Sequence, residues 1–332
     1  MRIAVVGAGS WGTTVAALAA RSNPTVLWAR RAELCDAINQ RSENEDYLPG
    51  HRLPYTVRAV GDLAEAVAGA ELVVMGVPSH GFRQVFADLA PSLQPGVPIL
   101  SLTKGIEQHT MCRMSEVIAE EAPDIPQELV GVLTGPNLAR EVMEGFPAAA
   151  VVAMGDQDAA AKVQEAFMGP AFRLYRNTDV IGAELAGAVK NVMAIAAGMA
   201  KGLGFGHNTL AALITRALAE LTRLGVTLGG HSETFAGLAG MGDLIATCQS
   251  DDSRNNRVGM ALAAGRKLED ITGDMRMVAE GVKSAHPIIE LAESQGVEMP
   301  IAVEVARVLD GRAHPREAVL TLMTREAKAE NA

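Results

Sequence analysis

The chain has 332 residues, of which 48% are hydrophobic and 20% charged, so it can build folded cores and does not have the composition of a disordered protein. At about 150 residues per domain, this length predicts two domains. The formal net charge of −10 at pH 7 excludes a general basic surface for nucleic acid or anionic membranes, so an anionic ligand needs a few individually placed cations.

The sequence carries no convincing signal for export or membrane insertion. The apolar N-terminus superficially resembles a signal peptide, but Gly7, Gly9 and Gly12 interrupt it. No uninterrupted apolar run approaches the roughly 18 residues that a spanning helix needs, so no membrane span is expected. The three cysteines are scattered, which argues against a disulfide framework and favours a location in the reducing cytoplasm.

In the first half of the chain, short apolar and β-branched runs alternate with helical patterns. The predicted strands are residues 1–6, 25–28, 71–77, 98–103, 130–134 and 148–154. Such runs are typical of strands that are buried on both faces and joined by helical crossovers. Because right-handed βαβ units in series form a doubly wound sheet, we predict an α/β fold with a Rossmann-type N-terminal domain over residues 1–181.

The second half changes to long Ala-, Leu- and Met-rich stretches with helical periodicity, beginning at about Gly182. The predicted helices include residues 210–224, 254–264, 279–294 and 301–309. No strand-like run stands out, so we expect residues 182–332 to form an all-helical, substrate-binding domain. The two domains are expected to join through a helix near residues 179–184.

A glycine-rich turn follows the first predicted strand. Residues 7–12 match the pattern G-x-G-x-x-G and are followed at once by a small-residue helix. In that context the pattern predicts a dinucleotide site, with the diphosphate bound at the N-terminus of the helix. The alternative is an ordinary glycine-rich turn without a ligand.

The end of the second predicted strand bears on the choice of dinucleotide. An NAD-selective site would place an acidic residue there to bind the ribose 2′-hydroxyl, whereas this sequence has Arg30 and Arg31. Guanidinium groups suit a 2′-phosphate, so we favour NADPH and leave NADH as the alternative cofactor. Two solvated surface arginines would be the simpler interpretation.

Polar loops follow two further predicted strands. Lys104 lies in the loop after residues 98–103, and Gly135, Pro136 and Asn137 follow residues 130–134. Ligands bind at the carboxyl ends of strands in open α/β sheets, so two such loops favour a site, although Gly and Pro also occur in plain turns.

Lys190 lies in an otherwise small and apolar helical segment, residues 185–198. Burial lowers the pKa of an ammonium group toward the range useful for proton transfer. A carbonyl that accepts a hydride develops alkoxide character and needs such a donor. The alternative is a lysine whose ammonium reaches solvent at the helix end.

Two polar segments of the second half complete the candidate site. Ser253 can N-cap the helix that starts near Arg254, where the free amides and the guanidinium could bind a phosphate. A capped surface helix is the alternative. Asp243, which follows Gly242, could instead close an Asx-turn.

Other reaction classes lack their motifs. The sequence contains no C-x-x-C, H-E-x-x-H, phosphate-binding G-x-x-x-x-G-K-[ST] loop or G-x-S-x-G elbow. We therefore expect no metal site and no kinase or serine-esterase chemistry.

Seven ordered motifs, taken together, resemble the bacterial NAD(P)-dependent glycerol-3-phosphate dehydrogenases over nearly the full length. They are residues 7–13, 101–107, 135–136, 189–192, 237–244, 253–255 and 279–281. The resemblance implies a Rossmann domain followed by a helical domain, and reversible reduction of dihydroxyacetone phosphate to sn-glycerol 3-phosphate for phospholipid synthesis. It also implies a homodimer, because the family often dimerises.

Carried over by motif, Lys190 corresponds to the catalytic proton donor to the C2 oxygen. The residues implied for the triose phosphate are Lys104, Gly135, Asn137, Lys190, Asp243, Ser253, Arg254 and Asn255. Those implied for the cofactor are Gly7, Gly9, Ser10, Trp11, Gly12, Arg30, Arg31, Lys104, Ala139, Arg254, Val278 and Glu280. Asn137 departs from the family pattern, because many relatives have Ser there.

Three other interpretations stay open at this point. A β-hydroxyacid or ketopantoate-type reductase would share the fold and a catalytic lysine, with less need for the phosphate site at residues 253–255. A non-catalytic NADP sensor would keep the glycine turn but would not need Lys190, Lys104 and Asp243. A scaffold protein would need none of these motifs.

Overall fold

The computed structural model describes residues 1–275, 277–327 and 329, and these residues include eight strands and sixteen α-helices. The strands are β1 (Ile3–Val6), β2 (Thr25–Trp28), β3 (Val57–Val60), β4 (Leu72–Met75), β5 (Ile99–Ser101), β6 (Val130–Thr134), β7 (Ala148–Met154) and β8 (Phe172–Asn177).

The helices belong to two groups, seven that precede or connect the strands and nine that follow the last strand. The first group is α1 (Ser10–Ala19), α2 (Ala32–Arg41), α3 (Leu63–Val67), α4 (Ser79–Leu89), α5 (Met114–Glu121), α6 (Ala139–Met143) and α7 (Gln157–Phe167). The second is α8 (Val180–Gly202), α9 (His207–Thr227), α10 (Ser232–Ala236), α11 (Asp243–Gln249), α12 (Arg254–Ala263), α13 (Leu268–Gly273), α14 (Glu280–Ser294), α15 (Pro300–Leu309) and α16 (Pro315–Met323).

All eight strands form one sheet in the order β3-β2-β1-β4-β5-β6-β7-β8. Strands β1 to β6 are parallel, and the order reverses between β1 and β4, as in a doubly wound sheet. The register places Ile3 opposite both Thr25 and Leu72. The carboxyl ends of β1, β2, β4, β5 and β6 therefore lie at one edge, where the sequence predicted the site.

Strand β7 departs from the expected series of parallel crossovers, because it runs antiparallel to β6, while β8 is parallel to β7. The connection between β6 and β7 contains only α6, whose five residues span about 7.5 Å. A helix of that length cannot carry the chain back along the sheet, so the chain reverses direction instead.

The prediction from the sequence did not include the two strands at the edges of the sheet. Strand β3 has only four residues with Arg58 exposed, and β8 alternates buried and exposed residues from Phe172 to Tyr175. The prediction relied on continuous apolar runs, which are typical of central strands rather than of edges. The six predicted strands are present, several of them shorter than expected.

Helices cover both faces of the sheet. On one face, α1 and α7 pack Leu18 and Phe167 against the strands, and on the other, α4 and α5 contribute Phe82, Phe86 and Ile118. This arrangement confirms the Rossmann-type architecture. After Asn177 the described residues contain helices and no strand, as predicted, and α8 begins at Val180. The domain boundary at residues 181 and 182 stays a prediction.

Helix α8 is the centre of the helical part, and every residue from Gly182 to Ala200 is buried. It packs against α9, α11, α12 and α14. By length and composition, α8 could span a membrane, but 89% of its most apolar window is buried inside the protein. The apolar sequence of α8 is therefore explained by its position in the core of the helical part.

Glycines bring α8 and α12 into backbone contact. A Cβ atom on Gly198 would overlap the carbonyl oxygen of Asn256, and one on Gly259 would overlap that of Ile195. No flexible side chain can move away to relieve either overlap, so the close crossing requires glycine in both helices.

We expect Gly198→Ala to destabilise the protein by about 2 kcal/mol, because the added methyl forces the two backbones apart. Chemical denaturation measures this change. The matched control is Gly273→Ala in α13, where the new methyl has no atom within 4 Å. That variant should be neutral or slightly stabilising, since alanine favours a helix. Equal stability of Gly198→Ala and wild type would contradict the proposed reason for the glycine.

Candidate active site

The glycine-rich turn has the geometry that the sequence predicted. Gly7 has a φ of +119°, and a Cβ there would lie 2.6 Å from the carbonyl oxygen of Gly76. A Cβ on Gly12 would overlap the carbonyl oxygen of Gly7, whereas Gly9 has open space in front of it. Gly9 is the N-cap of α1 and offers no side-chain acceptor to the first amides of the helix. The turn therefore fits the diphosphate of a dinucleotide.

A cleft of about 1160 Å³ extends from this turn to α8 and α12. It is larger than the roughly 300–1,000 Å³ of pockets for one small ligand, as a dinucleotide plus a second molecule would require. The predicted residues that line it are Gly7, Gly9, Ser10, Trp11, Gly12, Arg30, Arg31, Lys104, Asn137, Ala139, Lys190, Ser253, Arg254, Asn255, Val278 and Glu280.

Two predicted residues, Gly135 and Asp243, do not line the cleft and instead contact its lysines. Lys104 Nζ donates to the carbonyl oxygen of Gly135 at 2.9 Å and to Asp243 Oδ2 at 2.6 Å. Lys190 Nζ donates to Asp243 Oδ1 at 2.8 Å. Both therefore act on the lysines in this structure, and their direct contact with a substrate stays a prediction.

Lys190 lies in the middle of α8 and is 5% exposed, so the alternative of an ammonium that reaches solvent at the helix end is wrong. Its segment is apolar because it is the core of the helical part. The helix carries the ammonium to the floor of the cleft beside Asp243.

Burial and neighbouring charges determine the ionisation of this group. Burial lowers the pKa of Lys190 to about 8, with Lys104 also lowering it and Asp243 opposing both. Burial would raise the pKa of Asp243, but the ammonium groups of Lys104 and Lys190 outweigh it and hold that pKa below its usual value. Asp243 is therefore an anion between two cations, rather than the residue of an Asx-turn.

Two residues of the site escaped the sequence prediction of its functional residues. Thr247 Oγ1 accepts a hydrogen bond from Lys190 Nζ at 2.7 Å and donates to Asp243 Oδ1 at 3.2 Å. Asn191 Nδ2 donates to the carbonyl oxygen of Lys104 at 2.8 Å. The signals were available, since Thr247 lies one helical turn after Asp243 and Asn191 adjoins Lys190, but neither identifies a partner from sequence alone.

The segment at residues 253–255 is also held by named contacts. Ser253 Oγ accepts from the backbone N–H of Asn256 at 3.3 Å, which confirms the predicted N-cap of α12. Asn255 donates to Asn191 Oδ1 at 2.9 Å. Arg254 donates to the carbonyl oxygen of Val278 at 2.8 Å, and burial lowers its pKa against the attraction of Glu280.

On the cofactor side of the cleft, some polar groups form hydrogen bonds within the protein and others have no partner among the described residues. Glu280 accepts from Ser79 Oγ at 2.5 Å, and Ser10 Oγ donates to Met277 Sδ at 2.9 Å. The buried amide of Asn137 and the indole N–H of Trp11 have no hydrogen-bond partner among the described residues, so both are available to a ligand.

The two arginines after β2 differ in their contacts. Arg31 forms an ion pair with Asp46 and lies over the ring of Tyr47, with 5.9 Å between Cζ and the ring centroid. Arg30 is exposed and has no ion pair or hydrogen bond within the described chain. Of the two, Arg30 has the guanidinium that can accept a new anion without losing a partner.

The described residues contain no group of three or more His, Cys, Asp or Glu that could hold a metal ion. The residues that line the cleft include ammonium, guanidinium, carboxylate, amide and hydroxyl groups beside the dinucleotide turn.

Comparison with known proteins gives consistent matches. The family model described as NAD-dependent glycerol-3-phosphate dehydrogenase N-terminus matches residues 2–160, and the C-terminus model of the same description matches residues 179–320. The chain is 52% identical over 330 residues to the glycerol-3-phosphate dehydrogenase, NAD(P)+, of Geobacter sulfurreducens, covering 99% of this chain and 98% of that protein.

Two further matches agree. The chain is 52% identical over 312 residues to a protein of the same description from Sphingopyxis alaskensis. The match covers 94% of this chain and 93% of that protein. The crystal structure of glycerol-3-phosphate dehydrogenase from Coxiella burnetii superposes with a TM-score of 0.93 at 37% identity, over 98% of this chain and 99% of that chain.

We expect Asp243→Asn to destabilise the protein at pH 7 by about 3 kcal/mol or more, because it leaves the buried ammonium of Lys190 and the partly buried ammonium of Lys104 without their shared anion. The loss should shrink as the pH rises above about 8, because Lys190 then becomes neutral in the folded protein and no longer needs the anion. Urea denaturation across this pH range measures it. In the control, Asp251→Asn removes an exposed partner of Lys201 and should cost less than about 1 kcal/mol. A pH-independent loss would contradict the role assigned to charge.

Proposed function

Because the chain belongs to the NAD-dependent glycerol-3-phosphate dehydrogenase family, we propose that it interconverts dihydroxyacetone phosphate and sn-glycerol 3-phosphate, using a nicotinamide dinucleotide. The observation that carries this proposal is the buried Lys190, held by Asp243 and Thr247 on the floor of a cleft that begins at a dinucleotide turn. Such a group can protonate an oxygen at the place where a hydride acceptor would lie.

Lys190 is the proposed proton donor. When bound, a reduced nicotinamide supplies the hydride that C2 of the ketone accepts. Lys190 Nζ donates its proton to the C2 oxygen, which would otherwise become an alkoxide in a buried site. In the reverse direction, the neutral amine of Lys190 accepts the proton from the hydroxyl group.

Asp243 and Thr247 orient this donor. Two of the hydrogens on Lys190 Nζ are committed to Asp243 Oδ1 and Thr247 Oγ1, so the third is left for the substrate oxygen. Lys104 approaches the other carboxylate oxygen of Asp243 and lines the cleft, where it can contact both substrate and cofactor. Fixed donors avoid the cost of reorganising during the reaction.

The phosphate group of the substrate is assigned to the start of α12. Ser253, Arg254 and Asn255 line the cleft there, and the N-terminal amides of the helix favour an anion. Asn137, which also lines the cleft and whose amide atoms lack a partner in the described structure, is assigned to the substrate as well. Holding the phosphate fixes C2 relative to Lys190.

The cofactor is assigned to the predicted turn and its neighbours, with NADPH preferred. Support for NADPH comes from Arg30, an exposed guanidinium on the cleft wall with no ion pair among the described residues. A 2′-phosphate would give it a partner, whereas the 2′-hydroxyl of NADH would not. Arg31 contributes less, because Asp46 already neutralises it.

The biological setting is also part of the proposal. Production of glycerol 3-phosphate would supply phospholipid synthesis, and the three free cysteines favour a cytoplasmic location. The homodimer rests on the resemblance alone. The ketopantoate-type and sensor alternatives are disfavoured by 52% identity to glycerol-3-phosphate dehydrogenases over 99% of the chain.

The first test is oxidation of NADPH at 340 nm with dihydroxyacetone phosphate as the acceptor. Lys190→Ala should lose roughly a hundredfold or more in kcat, because the developing alkoxide loses its proton donor. Lys201→Ala, which removes an outward-facing lysine near the end of the same helix, should retain activity. Turnover by wild type that survives Lys190→Ala would reject Lys190 as the donor, and absence of turnover by wild type would reject the substrate.

The direction of the reaction should depend on pH through the same group. Since the pKa of Lys190 is about 8, kcat/KM for ketone reduction should fall as the pH rises through that value, and kcat/KM for alcohol oxidation should rise. The folded pKa lies below the value of 10.5 for a free lysine, so loss of this proton between pH 8 and 10.5 does not destabilise the fold. If kcat/KM changed with pH in the same way in both directions, Lys190 would not be the group that transfers the proton.

A further inference from the structure

Most cations that line the cleft already have an acceptor within the protein. Lys104 and Lys190 share Asp243, and Arg254 donates to the carbonyl oxygen of Val278. Arg31 is paired with Asp46, and Arg140 with Glu144 at 2.9 Å. An incoming anion would have to compete with these partners.

Two cleft-lining arginines, Arg30 and Arg257, form no ion pair or hydrogen bond with any residue that the structure describes. They lie on different parts of the cleft wall. Arg30 follows β2, at the proposed cofactor end. Arg257 is exposed on α12, three residues after Arg254 and four after Ser253, at the proposed phosphate end. The backbone N–H of Arg257 donates to the carbonyl oxygen of the buried Ser253 at 2.9 Å, so Arg257 lies one helical turn after the N-cap.

The charge of the substrate explains why Arg254 alone is insufficient. A phosphate monoester carries a charge of about −1.5 to −2 at neutral pH, because its second pKa is about 6. Arg254 supplies one positive charge and already interacts with the carboxylate of Glu280. Asp252 also lines this end of the cleft and adds a negative charge. A dianion at the start of α12 therefore needs a second cation.

We infer that Arg257 supplies this second cation, by binding the phosphate of the substrate at the mouth of the cleft together with Arg254. Arg257 is thus a specificity-determining residue, which favours phosphorylated over unphosphorylated ketones. The inference rests on the proposed function. Because the protein as a whole is acidic, an unpaired guanidinium at the entrance also speeds the approach of an anionic substrate.

The test compares dihydroxyacetone phosphate with dihydroxyacetone as the substrate of the full-length protein. For Arg257→Gln, kcat/KM for the phosphorylated ketone should fall about tenfold, mainly through KM, while the value for dihydroxyacetone stays unchanged. Arg257→Lys should recover much of the loss, because the charge is retained. The side chain is exposed and lies outside the core, so neither variant should unfold.

The matched control is Arg312→Gln, which removes the same charge from an exposed side chain outside the cleft lining. Its kcat/KM should stay within about twofold of wild type, and only Arg257→Gln should weaken the salt dependence of kcat/KM for dihydroxyacetone phosphate.

The possible failures are distinguishable. If wild type turns over dihydroxyacetone phosphate and Arg257→Gln does so equally well, the inference is wrong and the proposed function stands. If Arg257→Gln raises KM for NADPH alone, the guanidinium binds a cofactor phosphate, and the inference is again overturned. If wild type does not turn over the triose phosphate, the proposed function fails first.

Discussion

The carboxylate of Asp243, held between two lysines, is the interaction on which the cleft floor depends. It joins three parts of the chain that are distant in sequence, because Lys104 and Lys190 lie 139 and 53 residues away. Two ammonium groups this close would repel each other by several kcal/mol at a protein-like dielectric of about 20. Removing either from water costs several kcal/mol more. The loop after β5 can therefore meet α8 only where α11 supplies an anion.

The backbone around this trio is arranged to allow the approach. A Cβ on Gly187 would lie 3.3 Å from Thr134 Oγ1 and 3.4 Å from Lys104 Cγ, so glycine lets both strand-end loops reach α8. Asn191, on the same helix, then holds the carbonyl oxygen of Lys104, and Asn255 holds Asn191. The sheet loop, α8 and α12 are thus linked by side-chain amides, and the position of the donor is fixed from both halves of the protein.

The sequence revealed those features that depend on local pattern. The central strands and the glycine turn follow from apolar runs and residue spacing and were predicted, whereas the burial of Lys190 was one of two interpretations that its apolar segment left open. The edge strands β3 and β8, the reversal at β7 and the partnership of Asp243 with two lysines were not predicted. These depend on neighbours far along the chain. The glycine-rich sequence before Asp243 suggests only a turn, and in the structure Leu238–Gly242 forms a π-helical turn. Nothing in this local sequence specifies which cations will face the carboxylate.

The two lysines and one carboxylate of this trio together determine the pKa of Lys190 and the net charge of the site. Burial has the largest effect on the pKa of Lys190 and lowers it, whereas the adjacent anion Asp243 raises it. Lys104 also lowers this pKa, and the net result is a value of about 8. The ionised trio carries one net positive charge in a site with little water. A developing alkoxide on the substrate would neutralise that charge, so the site is electrostatically complementary to the transition state more than to the neutral ketone.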